Sequence, residues 1–109
     1  GANFVARGFS GDPNGTARLI VEAIEHPGFS FVEVLSPCIT FRPDQREWRK
    51  EVHAAAVEET DDAARAARRI MTDDGFNTGI LYRGTRPAFD TSVPAAPADV
   101  ADLEREFVL

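Results

Sequence analysis

The chain is short of nearly every residue that marks a specialised class. Its 109 residues include one cysteine, one methionine, one tryptophan and one tyrosine. A lone Cys38 cannot close an internal disulfide, so disulfide-stapled secreted domains are excluded and a reducing compartment is the default. Basic residues number 12 against 18 acidic ones, and the net charge of −6 argues against a binder of phosphate backbones, which needs a basic face. No apolar run approaches the roughly 20 residues of a membrane span. No charged start followed by an apolar stretch marks a secretory signal either. The expectation is a cytoplasmic chain with neither nucleic acid nor membrane as partner, large enough for one core.

The only methionine is Met71, and the first residue is Gly1. Phe4 already belongs to an apolar stretch with nothing before it to cap it. The chain is therefore expected to be the C-terminal portion of something larger.

Residues 3–7, Asn3-Phe4-Val5-Ala6-Arg7, predict a short strand closed by the turn chemistry of Gly8 and Gly11. Asp12 is placed to cap a helix whose first position is Pro13, where a missing N–H costs nothing. Ala17, Ile20, Val21 and Ile24 then recur at i, i+3, i+4 and i+7, an apolar stripe opposed by Arg18, Glu22 and Glu25. Pro27 and Gly28 stop the helix. Phe29–Leu35 is apolar enough for a strand covered on both faces, as parallel strands usually are. Strand, helix and strand make a βαβ unit, which is right-handed in nearly all cases.

Further on, Asp44 and Glu47 have capping-box spacing, and Trp48, Val52 and Ala55 predict a helix. Glu58-Glu59-Thr60-Asp61-Asp62 is an acidic break suited to a helix start. Ala63, Ala66, Ala67 and Ile70 form the next stripe, with Arg68 and Arg69 in the last turn and Gly75 as stop. Thr78–Arg83 reads as a strand. Pro87, Pro94 and Pro97 mark an extended stretch, and Val100, Leu103 and Phe107 share one face of a terminal helix that needs something to dock on. Three segments result: an α/β part over 1–42, a mostly helical extension with one late strand over 43–87, and an Ala/Pro-rich tail over 88–109.

Ser36-Pro37-Cys38-Ile39-Thr40-Phe41 stands where a buried strand should end, the place where chemistry collects in open α/β sheets. On residue type alone Cys38 is first of all a buried, inert thiol. A catalytic thiolate needs a basic neighbour, and neither His26 nor His53 is spaced to supply one. A metal is the third option, but one thiolate holds no zinc or iron–sulfur cluster unaided. Gly8-Phe9-Ser10-Gly11 before a helix start could cradle an anion with free amides; it lacks the phosphate-loop lysine and G-x-G-x-x-G, so a structural turn is the simpler reading. Arg7 could face a ligand or an interface. His26 suits a helix C-terminus, His53 a half-exposed helix position, and Trp48 and Tyr82 packing. The acidic break has no oxygen-ligand spacing. Arg83-Gly84-Thr85-Arg86-Pro87 is a small basic cluster, either a strand exit or a contact for an acidic partner.

The string Gly1-Ala2-Asn3-Phe4-Val5-Ala6-Arg7-Gly8-Phe9-Ser10-Gly11-Asp12-Pro13, with Ala23-Ile24-Glu25-His26-Pro27-Gly28-Phe29 and Ser36-Pro37-Cys38-Ile39-Thr40-Phe41, resembles the β subunit of 2-oxoacid:ferredoxin oxidoreductases, most of all the 2-oxoglutarate type. Gly79-Ile80-Leu81-Tyr82-Arg83 with Arg86-Pro87 resembles that family's late strand. The resemblance implies an α/β fold, the last βαβ of a thiamine-diphosphate-binding domain plus a C-terminal extension. It implies an enzyme that oxidatively decarboxylates a 2-oxoacid on thiamine diphosphate and Mg²⁺, reduces ferredoxin through a [4Fe–4S] cluster and releases an acyl-CoA. Its partners would be the rest of the β subunit, an α subunit, ferredoxin, the 2-oxoacid and coenzyme A. Cys38 resembles the last ligand of the [4Fe–4S] cluster, with Pro37 and Thr40 shaping its loop and the other ligands far upstream. The Gly-Asp-Gly and Asn of the diphosphate–Mg²⁺ motif are absent, and Gly11-Asp12-Pro13 does not replace them. No catalytic or complete cofactor-binding residue is therefore assigned, and the 109 residues alone are expected to be inactive. Two other readings stand beside this one: a non-catalytic α/β protein-interaction module using the acidic helices and Val100, Leu103 and Phe107, and an independent thiol enzyme built on Cys38.

Overall fold

The computed structural model of the chain describes residues 1–55 and 59–88. Strand β1 runs Phe4–Phe9, so Gly8 lies inside the strand and not at its closing turn. Packing explains this: a Cβ on Gly8 would stand 2.8 Å from Thr16 Oγ1, and glycine lets the following helix press directly on the strand. That helix, α1, spans Pro13–Glu25, with Pro13 in its first turn and the Asp12 carboxylate accepting from the Gly15 amide at 3.0 Å. The Thr16 hydroxyl receives the Phe9 amide at 3.1 Å and donates to the Phe9 carbonyl at 2.9 Å. These bonds decide which side of α1 faces inward.

The expected stripe is not that side. Leu19 and Ala23 pack with Phe4, Ala6, Val32 and Ile80 in the core, while Ala17, Ile20, Val21 and Ile24 are exposed, Ile24 by 78%. Two overlapping apolar stripes fit this helix, and periodicity cannot choose between them. The Thr16–Phe9 tie and the small Ala23 select the other one.

Strand β2, Ser30–Leu35, pairs parallel to β1 in unbroken register from Phe4↔Ser30 to Phe9↔Leu35, completing the expected βαβ unit. Cover on both faces is not found: none of its six residues is buried, and Phe31 is 52% exposed. β2 ends the sheet with one strand neighbour; Val32 packs against the core, and Phe31, by strand alternation, lies on the opposite face.

The helix expected from Asp44 through Ala55 is also corrected. Pro43–Glu47 form a 3₁₀ helix and Trp48–Glu51 a four-residue α2, followed by strand β3, His53–Ala54. Asp44 and Glu47 make no capping bond; they pair instead with Arg42 and Lys50. Strand pairing overrides helical periodicity here. The His53 amide donates to the Phe76 carbonyl at 3.2 Å and the Ala55 amide to the Thr78 carbonyl at 2.9 Å, and Trp48 meets the Phe76 ring edge-on at 5.6 Å.

Helix α3, Ala63–Thr72, starts where the acidic break suggests, with Asp62 accepting from the Arg65 amide at 3.0 Å. Its buried residue is Ala66, whereas Ala63 and Ala67 are exposed. Strand β4, Asn77–Arg83, lies antiparallel to β1 and parallel to β3, so the sheet is mixed, in the order β2-β1-β4-β3. Val5 pairs with Tyr82 and Ala6 with Ile80, which leaves Leu81 as an extra residue on β4. The extension thus carries two strands where one was expected. Glu58, Pro94, Pro97 and the Val100/Leu103/Phe107 stripe lie outside the described residues. Among the described residues no helix is long and apolar enough to cross a membrane.

Candidate functional site

The carboxyl ends of β1 and β2 lie side by side, joined past Phe9 by the Ser10 amide donating to the Leu35 carbonyl at 2.9 Å. From β2 the chain runs through Ser36 and Pro37 to Cys38, which is free and exposed. The burial that residue type alone suggests for Cys38 is therefore not found. The Cys38 amide donates to Gln45 Oε1 at 2.8 Å, and the Cys38 carbonyl accepts from the Arg42 amide at 2.8 Å. Local chemistry explains the shape. Pro37 has a fixed φ and no N–H, and Pro43 opens the 3₁₀ helix that turns Gln45 back toward Cys38. Beside the loop lies a hollow of about 370 Å³ whose walls include Phe9, Pro37, Ile39, Gln45, Arg46 and Arg49. Ile39 and Phe41 are exposed apolar residues of the same loop.

The histidines are engaged elsewhere. His26 Nε2 lies 3.1 Å from the Gly84 carbonyl, and its ring sits 5.5 Å from that of Phe4, tying the end of α1 to the exit of β4. His53 stands in a strand, its Nδ1 2.7 Å from the Glu51 carbonyl and its Nε2 3.6 Å from Asp74. The Glu51 carbonyl bond, helped by the Asp74 charge, raises its pKa. Around Gly8–Gly11 the amides of Phe9, Ser10 and Asp12 bond Thr16, Leu35 and Phe9, which favours the structural reading over an anion cradle.

Arg7 is engaged within the chain by two carboxylates. It is buried on the sheet face opposite α1, since strand residues alternate and Ala6 packs toward the helix. Its Nε donates to Glu33 Oε2 at 2.6 Å and its Nη1 to Asp73 Oδ2 at 3.1 Å. Burial works against the guanidinium charge, yet the bonds to Glu33 and Asp73 more than offset it and raise the Arg7 pKa. Asp73, the C-cap of α3, is likewise opposed by burial, but the Asn77 side chain, the Gly75 amide and Arg7 hold its carboxyl below the usual range.

The two arginines of the basic cluster at the exit of β4 are both partnered within the chain, although Arg86 stays exposed. Arg83 bonds Glu22 at 2.5 Å and Glu59 at 3.0 Å and lies 5.2 Å over the Phe4 ring. Arg86 donates to the Ala2 carbonyl at 2.8 Å. Among the described residues no group of three or more His, Cys, Asp or Glu could hold a metal ion. Sequence reasoning missed two residues of consequence. Asn3 is buried and donates from its side-chain amide to the Pro27 and Arg86 carbonyls at 3.2 and 2.7 Å. Gln45 binds seven residues back along the chain. Neither spacing carries a local signal; only the buried polar Asn3 at a strand start hints at a tertiary bond.

Comparisons with known proteins speak to the class first. The chain is similar, in sequence and in fold, to oxidoreductases that act on 2-oxoacids with ferredoxin. In particular, it is 41% identical over 49 residues to the 2-oxoacid:ferredoxin oxidoreductase subunit beta of a Sulfolobus species, a match covering 44% of this chain and 16% of that relative. It also matches the 2-oxoglutarate:ferredoxin oxidoreductase from Magnetococcus marinus, solved with 2-oxoglutarate, coenzyme A and succinyl-CoA bound. There the TM-score is 0.69 at 29% identity, over 97% of this chain and 35% of the other. No known protein-family profile matches. The resemblance drawn from the sequence and the α/β fold class are both borne out. The chain spans only about a third of the matched structure's length, and its match covers 16% of the Sulfolobus relative.

Proposed function

We propose that the chain is the C-terminal part of the β subunit of a 2-oxoacid:ferredoxin oxidoreductase, with 2-oxoglutarate as the favoured substrate. The parent enzyme would oxidatively decarboxylate the 2-oxoacid to an acyl-CoA and reduce ferredoxin. It would use thiamine diphosphate, Mg²⁺ and a [4Fe–4S] cluster, in the cytoplasm and together with an α subunit. The observation that carries the reading is the fold match over 97% of the chain, combined with an exposed free thiol at the end of β2.

The donor chemistry fits. Iron–sulfur clusters are held by cysteine thiolates, and Cys38 is solvent-accessible on a loop braced at both of its peptide groups. One thiolate is one corner of a cluster, so the remaining ligands belong to polypeptide outside these 109 residues, and the isolated chain is inactive on this reading. When bound, such a cluster accepts and passes single electrons. The work of this chain's own residues is positional. Cys38 binds iron, Pro37 and Thr40 shape the loop, and β2 gives the loop a fixed root. No residue here is assigned to thiamine diphosphate or Mg²⁺.

Cys38→Ser in the complete subunit is expected to abolish or strongly weaken the visible absorbance of the cluster and to lower the iron content. Unchanged spectra and iron would defeat the assignment.

A further inference from the structure

A closed circuit of three hydrogen bonds surrounds Cys38. Its amide donates to Gln45 Oε1 at 2.8 Å, the Gln45 amide donates to the Arg42 carbonyl at 3.0 Å, and the Arg42 amide donates to the Cys38 carbonyl at 2.8 Å. Two of these links are main chain to main chain and belong to the turn itself. The third runs through a side chain, and it is the only one that a substitution can remove without touching the backbone. Little else holds the loop, since Ile39, Thr40 and Phe41 are exposed.

We infer that Gln45 is the positioning residue for the iron-binding sulfur of Cys38. This inference rests on the proposed function above. Gln45 acts through Cys38 and does not itself bind the metal. Fixing the peptide groups on both sides of Cys38 leaves the sulfur little freedom beyond its own side-chain rotamer. The direction of a ligand is then set before the metal arrives, as outer partners do in other metal sites. The bond has a second consequence. Hydrogen bonds to cluster sulfurs tune the reduction potential, and Gln45 occupies an amide donor immediately beside the ligand sulfur. Removing the acceptor frees that N–H for a new partner, so the potential should move together with the rate of iron loss. A neutral amide suits this task because it accepts the bond without placing a charge beside the cluster.

The experiment uses the full-length subunit carrying its cluster, with four forms compared: unsubstituted, Gln45→Leu, Gln45→Glu and Cys38→Ser. Gln45→Leu keeps the side-chain bulk without the acceptor and should release iron to a strong chelator about tenfold faster, with a shifted reduction potential and faster hydrogen exchange at the Cys38 amide. Gln45→Glu keeps an acceptor and should restore slow release. Should Gln45→Leu fail to fold, Gln45→Asn, one methylene too short to reach the amide, takes its place with the same expectation. Cys38→Ser lacking iron while Gln45→Leu releases it at the unsubstituted rate with an unmoved potential would overturn the role of Gln45 alone. Cys38→Ser retaining the full cluster would overturn the underlying functional reading, and the Gln45 role with it.

Discussion

Strands β1 and β2 are parallel neighbours of six residues each, paired residue for residue, yet five residues of β1 are buried and none of β2. Composition does not separate them: Phe4-Val5-Ala6 opens one, and Phe31-Val32 lies near the start of the other. What separates them is neighbours. β1 has a strand on each edge, α1 on one face, and the Arg7 ion pairs on the other. β2 has one strand edge and exposes Phe31 and Val34. An apolar run therefore states what a strand can tolerate; the topology decides what covers it.

That contrast can be broken experimentally. The largest effect is expected at Phe4, which is fully buried: Phe4→Ala should cost about 4 kcal/mol of folding stability, and Phe31→Ala less than about 1 kcal/mol, both by urea unfolding of this chain. Equal losses would mean that the two strands share one environment after all. Next comes Arg7→Met, which leaves Asp73 and Glu33 without their cation and should cost about 3 kcal/mol. Adding Asp73→Asn should recover part of that loss, because the more buried of the two carboxylates is then uncharged.

The smallest effect is acid sensitivity. The folded pKa of Asp73 is lowered by its partners despite burial. Its contribution is therefore complete above the unfolded value near 3.9 and is lost as pH falls through the lower folded value. Asp73→Asn should flatten the stability-versus-pH curve on that acid side, and an unchanged slope would show that other carboxylates dominate it.

Much of the first 42 residues was legible in the sequence because their signals are local. Asp12 and Pro13 announce a helix start, Pro27 and Gly28 its end, and the apolar run after Phe29 a strand. The inward face of α1 was not legible, because the Thr16–Phe9 bonds are tertiary. Asp44–Ala55 misled for the same reason: helical spacing was real, but β4 offered His53–Ala55 an extended partner. At the candidate site Cys38 stood out as the single cysteine after Ser-Pro, whereas its support by Gln45 depends on a turn geometry that spacing does not reveal. The Arg83/Arg86 cluster stayed open between a strand exit and a partner contact because its partners within the chain, Glu22 and the Ala2 carbonyl, lie far off in sequence.

The Asn3 clasp, which reaches the Arg86 carbonyl across 83 positions, has a consequence for biosynthesis. While the polypeptide grows, β1, α1 and β2 can assemble early, but the second edge of β1 must wait for β4. At ordinary translation speeds that interval is on the order of several seconds, during which a row of amides and carbonyls stands open to any passing chain. The β1–β4 seam at the centre of the sheet therefore cannot close until β4 has been made.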